Sequence, residues 1–169
     1  MKQENQLSAD PGCRIHVAHY GRDLEDFIPG DVYEHRPGRT ITQADNIHFS
    51  LLTMNRHPAH CDAAFAAGTE FGQELVNSTL TLAVITGLTV DDVSARAIAN
   101  LGWEGIKLVA PVFVGDTLYA RTKVLEVRRS KSRPHQGIVK THTQGYNQDG
   151  TVVLSFERAS LVPCREKTP

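Results

Sequence analysis

Asn77-Ser78-Thr79-Leu80-Thr81-Leu82-Ala83-Val84-Ile85-Thr86-Gly87-Leu88 is the stretch whose reading decides the fold. Asn77 and Ser78 are good helix-capping types, because a short polar side chain can accept from the free N–H groups of a first turn. From Thr79 to Leu88 the residues are apolar on nearly every face, so the segment predicts a helix buried all round. Such a helix needs a wrapper. The second half of the chain supplies one, with strand candidates at residues 100–109, Asp116 to Arg128, Gly137 to Tyr146 and Val152 to Val162. Ala110-Pro111 and Gly115-Asp116 interrupt the first pair. Asn147-Gln148-Asp149-Gly150 reads as a hairpin turn between the last two. Leu118, Ala120, Thr122 and Val124 alternate as one face of a half-buried strand does.

Upstream of the helix, residues 31–37 predict a short extended piece ended by Pro37-Gly38. Thr42, with Asp45 three residues on, predicts a helix N-terminus, after which Ile47, Leu51 and Met54 recur at helical spacing. A polar break at Asn55 to His60 leads to a short Ala-rich helix over Asp62 to Phe71. Residues 1–22 are polar and aperiodic and read as an arm. One early strand, a buried helix and four antiparallel strands predict an α+β domain, with the sheet curled around the helix.

With 169 residues, 40% apolar and 22% charged, the chain is sized and composed as one ordinary globular domain, not a disordered or fibrous one. Eighteen Lys and Arg against nineteen Asp and Glu leave a formal charge of −1, which gives no overall field to attract nucleic acid or an anionic membrane. No apolar run reaches membrane-spanning length and the first residues lack a secretory pattern, so the expected location is cytoplasmic. Cys13, Cys61 and Cys164 are widely spaced with no CxxC, which predicts free thiols and neither a disulfide scaffold nor a structural metal site.

The densest polar cluster is Asn55-Arg56-His57-Pro58-Ala59-His60-Cys61-Asp62. A loop carrying two His, an Asn and an Asp beside a core helix can place a base in a dry pocket, and it can equally be a solvated loop with structural histidines. A second signal is Arg128-Arg129-Ser130-Lys131-Ser132-Arg133-Pro134. Interleaved cations and hydroxyls suit the phosphates of a nucleotide, or belong to a solvated hairpin. The loop has no aromatic residues on which bases could stack, which disfavours nucleic acid.

Pro58-Ala59-His60-Cys61-Asp62-Ala63-Ala64-Phe65-Ala66, then Phe71-Gly72, then Val76-Asn77-Ser78-Thr79-Leu80, resembles the MaoC-type or (R)-specific enoyl-CoA hydratase family of the hot-dog fold. The resemblance covers most of residues 27–162 and extends to the Ala110–Leu118 strand entry and the Asn147–Gly150 hairpin. It implies a single hot-dog domain over residues 23–165, working as a homodimer, with no cofactor and no metal. The implied activity is reversible hydration of a 2-enoyl-CoA, or dehydration of a 3-hydroxyacyl-CoA. A subgroup similar to this chain around Thr53-Met54-Asn55 and Ser130-Lys131-Ser132-Arg133-Pro134 implies a short branched or dicarboxylic acyl-CoA.

In that family an Asp-x-Asn-Pro-x-His motif holds the water that is added. His60 and Pro58 fall on its His and Pro, whereas Asn55 falls on its Asp and His57 on its Asn. An Asn amide can orient water but cannot carry a proton at neutral pH. The resemblance therefore leaves three options: His60 acts alone, a carboxylate such as Asp45 or Asp62 substitutes, or catalysis is lost and an acyl-CoA-binding protein remains. Ser78 falls where the family uses a backbone N–H to bind the thioester oxygen, and Thr86 where it often has a supporting Ser. For Thr86 a back-bond to its own helix is the competing expectation. Arg129, Lys131, Ser132 and Arg133 are the implied CoA-binding residues. Thioester hydrolysis, the other activity of this fold, usually uses a carboxylate on the central helix, and residues 79–88 contain none.

Overall fold

The computed structural model describes residues 20–165. The arm expected at 1–22 therefore lies outside the described residues up to position 19, together with Cys13. Gly21 and Arg22 differ from that expectation. Gly21 N–H donates to Asp91 O, and Arg22 is bonded to Asp92, so both are docked on the domain.

Five antiparallel strands form one sheet in the order β1-β3-β4-β5-β2: β1 Val32–Thr40, β2 Ala99–Leu108, β3 Thr117–Arg129, β4 Gln136–Tyr146 and β5 Val152–Pro163. Helices are α1 Gln43–Leu52, α2 Ala63–Ala67 and α3 Ser78–Leu88, with a single π-helical turn at Val90–Ser94 following α3. This is the predicted α+β arrangement. α3 packs over β1 and β3, and Gly145 on β4 lets it approach, since a Cβ there would collide with the Ile85 side chain.

Four local expectations differ from what the chain does. Pro37 does not end β1; it sits in a register shift between His35 and Arg39, on an edge strand where a missing N–H costs no ladder bond. α1 starts at the predicted Thr42–Asp45 capping box, but its buried face carries Asn46 and Ser50, while Leu51 and Met54 are exposed. α2 is only five residues long. α3 is not buried all round, because Thr79, Ala83 and Gly87 form an exposed stripe. Among the described residues no helix is long and apolar enough to cross a membrane.

Side chains on the helix-facing side of the sheet form two apolar clusters separated by a polar belt. On β3 the order is Leu118, Ala120, Thr122, Val124, and on β5 it is Leu154, Phe156, Arg158, Ser160, Val162. Thr122 sits in the belt, bonded to His35 Nε2 at 2.8 Å and to Thr143 at 2.9 Å. His35 Nδ1 bonds Asp92 Oδ2 at 2.9 Å. Burial holds the His35 imidazole below its ordinary pKa despite that carboxylate, so at neutral pH Nδ1–H donates to Asp92 and Nε2 accepts from Thr122. Burial pushes Asp92 up, yet the hydrogen bonds from His35 and Arg22 prevail and hold its pKa below the usual value.

Both shifts give the same sign. An unfolded His binds a proton near about pH 6.5 that the folded one resists, so His35 contributes stability above that pH that is lost as pH falls below it. Asp92 keeps its contribution until pH drops through the carboxylate range. Urea unfolding should therefore show stability falling as pH drops below about 6.5, by up to about 1 kcal/mol per pH unit from this one group. His35→Gln, which retains a donor and an acceptor without titrating, should flatten that segment. An equal slope in both proteins would show that His35 does not control it.

Candidate active site

The site is built where three irregular segments meet the start of α3. α1 ends in a Schellman motif: Asn55 N–H donates to Ser50 O at 2.9 Å and Met54 N–H to Leu51 O at 3.2 Å, with Met54 at φ 59° where glycine is usual. That turn delivers Asn55 to the loop. Asn55 Oδ1 then accepts from His57 N–H at 3.1 Å, and His57 Nδ1 accepts from Ala59 N–H at 3.2 Å, closing a 3-10 turn over Pro58–His60. The His57 ring packs edge-on against Phe65 and 5.8 Å from His60.

Asn46, on the buried face of α1, ties the segments together. Its Nδ2 donates to His60 O at 2.9 Å and to Leu75 O at 3.0 Å, and its Oδ1 accepts from Asn77 N–H at 2.8 Å. Asn77 in turn donates to Ser50 Oγ. Leu75 and Val76 are held on the other side by Ala59 O and Val112 O. The loop, the strand-like piece before α3 and the helix N-terminus are therefore tied to one another by hydrogen bonds.

His60 Nδ1 lies 2.9 Å from Leu75 O, an acceptor only, so Nδ1 carries the proton and Nε2 keeps its lone pair. Asn77 caps α3, its Oδ1 accepting from Thr79 N–H at 3.0 Å. The Ser78 N–H has no acceptor within the helix and lies at the positive end of its dipole. His60 and Ser78 line one cavity of about 380 Å³ with Leu75, Thr81, Val112 and Val153. Its lining contains one titratable side chain, His60, and no carboxylate. An imidazole, a backbone oxyanion donor and apolar walls equip this space to move a proton beside an electron-accepting carbonyl.

The other expected residues lie elsewhere. Asn55 is half-buried in the adjoining loop and does not line the cavity. Thr86 also stands off it: its Oγ1 is buried and makes no hydrogen bond, so the expected back-bond to the helix is not formed. Asp45 is engaged by Thr42 and Arg39, and Asp62 caps α2 through Phe65 N–H, which leaves neither as the replacement carboxylate. The basic loop is at the far end of β3, whose 13 residues span roughly 40 Å. There Arg129 pairs with Glu25 and reaches Cys164, Arg128 pairs with Glu126, and Arg133 donates to Gln136. Lys131 and Ser132 are exposed. Cys61 and Cys164 are free thiols. Asn46 and Ser50 are the residues that sequence reasoning passed over, and the signal was two polar side chains at i and i+4 where α1 should be apolar.

The sequence of residues 26–146 matches the MaoC-like domain. Beta-methylmalyl-CoA dehydratase of Chloroflexus aurantiacus is 35% identical over 146 residues, 86% of this chain and 41% of that protein. Mesaconyl-CoA hydratase of Haloarcula marismortui is 31% identical over 147 residues, again 86% and 41%. The chain thus spans about 41% of the length of these relatives. A solved Mycobacterium tuberculosis structure described as a double hotdog fold superposes with a TM-score of 0.78 at 25% identity, covering 88% of this chain and 46% of that one. The domain has the hot-dog fold, as the sequence resemblance implies.

Proposed function

The chain belongs to the MaoC-like domain family, and from that membership we propose that it catalyses reversible hydration of a 2-enoyl-CoA to a 3-hydroxyacyl-CoA, acting as a cytosolic homodimer. The observation that carries this reading is His60, with its proton fixed on Nδ1, sharing a cavity with the free N–H at the start of α3. With the thioester carbonyl accepting from Ser78 N–H, water held by His60 Nε2 attacks the β-carbon. The water proton passes to Nε2 and the π electrons move to the thioester oxygen, giving an enolate that the helix N-terminus stabilises. The imidazolium then returns a proton to the α-carbon, so atoms and charge balance. Asn55, which stands outside the cavity with its Oδ1 accepting from His57 N–H, acts by holding the loop that carries His60. The names of the relatives, beta-methylmalyl-CoA dehydratase and mesaconyl-CoA hydratase, support a short branched or dicarboxylic substrate.

β2 supports the dimer. Among the described residues it pairs only with β5, and Leu101, Trp103, Ile106 and Leu108 are exposed along it, a long apolar edge of the kind proteins normally cover. Two copies joined antiparallel along β2 form a ten-stranded sheet in which the Arg129–Arg133 end of one chain lies on the same side as the cavity end of the other. The basic loop then serves the CoA phosphates of its partner's substrate.

Following loss of the conjugated enoyl absorbance of crotonyl-CoA and mesaconyl-CoA tests the reaction directly. Turnover on at least one ester is expected. Lys131→Ala with Arg133→Ala should raise KM severalfold at nearly constant kcat, since phosphate contacts are equal in ground and transition states. No turnover on either ester would overturn the hydratase reading, and an unchanged KM would remove the loop from CoA binding.

A further inference from the structure

The cavity that holds His60 offers a bound molecule few polar groups. Its polar side chains are His60, Ser78 and Thr81. In the proposed reaction His60 Nε2 is taken by the attacking water, and Thr81 Oγ1 lies 3.4 Å from Asn77 O, the carbonyl one helical turn back. The backbone N–H groups of Leu75, Val76 and Val109, which also line the space, donate to the carbonyls of Ala59, Val112 and Val153. The Ser78 hydroxyl remains. Asn77 is the cap of α3, and Ser78 Oγ makes no hydrogen bond among the described residues.

The position of that hydroxyl follows from helical periodicity. Ser78, Thr81 and Ile85 lie at i, i+3 and i+7 on one side of α3. Thr81 and Ile85 are buried, whereas Ser78 is exposed. On a side that packs inward, this exposure is to the cavity that Ser78 lines. Covalent geometry also keeps the hydroxyl beside its own N–H. In two of the three staggered rotamers of a serine, Oγ is gauche to N and about 3 Å from it. An oxygen seated on the Ser78 N–H is then within hydrogen-bond reach of Oγ as well.

A carbonyl oxygen has two lone pairs, and in the enolate it also carries the charge that leaves the double bond. One N–H satisfies one pair. The other would face apolar walls, where an unmet acceptor is costly. We infer that the Ser78 side chain is the second oxyanion donor, its O–H and its own N–H both donating to the thioester oxygen, an assignment that rests on the acyl-CoA reading of the cavity. The hydroxyl keeps its proton throughout, so proton transfer still runs through His60. Its bond to the oxygen strengthens as charge develops there, which favours the enolate over the bound ester.

Isotope-edited infrared spectra of bound butyryl-CoA, with carbon-13 at the carbonyl, test this without catalysis, because a saturated ester has no double bond to hydrate and each hydrogen bond to a carbonyl lowers its stretching frequency. Two variants isolate the hydroxyl. Ser78→Thr keeps it, and Ser78→Val has the same shape with a methyl in its place, which leaves no room for a replacing water. Neither removes the cap of α3, which is Asn77. The thioester stretch should lie at higher frequency in Ser78→Val than in the wild-type protein, and Ser78→Thr should match the wild type. On the best enoyl-CoA, Ser78→Val should lose about 10²-fold in kcat, the scale for loss of one oxyanion donor, at similar affinity for butyryl-CoA, and Ser78→Thr should retain turnover. An equal stretch in Ser78→Val and Ser78→Thr would overturn the assignment, and with turnover lost only in Ser78→Val it would move the hydroxyl's role to the attacking water. Equal loss of turnover in both variants would overturn it too, by assigning the effect to side-chain bulk. No binding of butyryl-CoA to the wild-type protein would remove the acyl-CoA premise along with it. The expected infrared difference in a protein inactive on every enoyl-CoA would leave Ser78 as assigned and overturn the hydratase reading alone.

Discussion

His60→Ala should lower kcat/KM for the best enoyl-CoA by about 10²–10⁴-fold, the range for loss of a general base. The fold should survive. His60 is half-buried, and the one hydrogen bond that its ring makes goes to Leu75 O, which also accepts from Asn46 Nδ2 and is therefore not orphaned. A stability change of about 1 kcal/mol or less follows. The combination of lost turnover, unaltered urea unfolding and retained binding of saturated acyl-CoA separates a proton carrier from a structural histidine. His60→Ala with near wild-type turnover would transfer the chemistry to another group, and no other titratable side chain lines the cavity.

Asn46→Ala carries the second large effect, and on stability first. It strips the His60 and Leu75 carbonyls of a donor and Asn77 N–H of its acceptor, all at a site where Asn46 and Asn77 are fully buried. Unmet buried groups cost about 1–3 kcal/mol each, so a total of about 3–5 kcal/mol is expected once Leu75 O is credited with its remaining bond to His60. For a domain of this size that is a melting shift on the order of 10 °C. Activity should fall as well, since the loop bearing His60 and the N-terminus bearing Ser78 are no longer fixed to each other. Asn46→Asp preserves size and the acceptor but faces two carbonyls with a carboxylate, and should be no better. A fall of less than about 1 kcal/mol in Asn46→Ala would mean that the Leu75 and Val76 backbone ladder holds the site by itself.

Much of this protein is legible from local chemistry. The apolar density from Thr79 to Leu88 specifies a core helix, the Asn147–Gly150 turn specifies the last hairpin, and the Thr42–Asp45 pair specifies the start of α1, because periodicity, turn chemistry and caps act over a few residues. His60 and Ser78 were singled out through the family resemblance of the motifs around them, and both line one cavity.

Relations between distant residues were not legible. The side of α1 that is buried could not be read from Ile47, Leu51 and Met54, since it is set by three backbone groups from other segments that Asn46 satisfies. The ion pairs of the Arg128–Arg133 loop, and its distance from the cavity in its own chain, depend on the length and direction of β3. Arg158 reads in sequence as one charge in an alternating strand, and only the packing of α3 over the sheet takes it out of water with no counter-ion among the described residues. By itself the sequence determined the main elements and their order, because these depend on short-range propensities, whereas His60 and Ser78 were singled out by the family resemblance. The tertiary structure alone decided which polar groups are satisfied and which are left bare, because burial and hydrogen bonding across long separations depend on every segment that closes over a side chain.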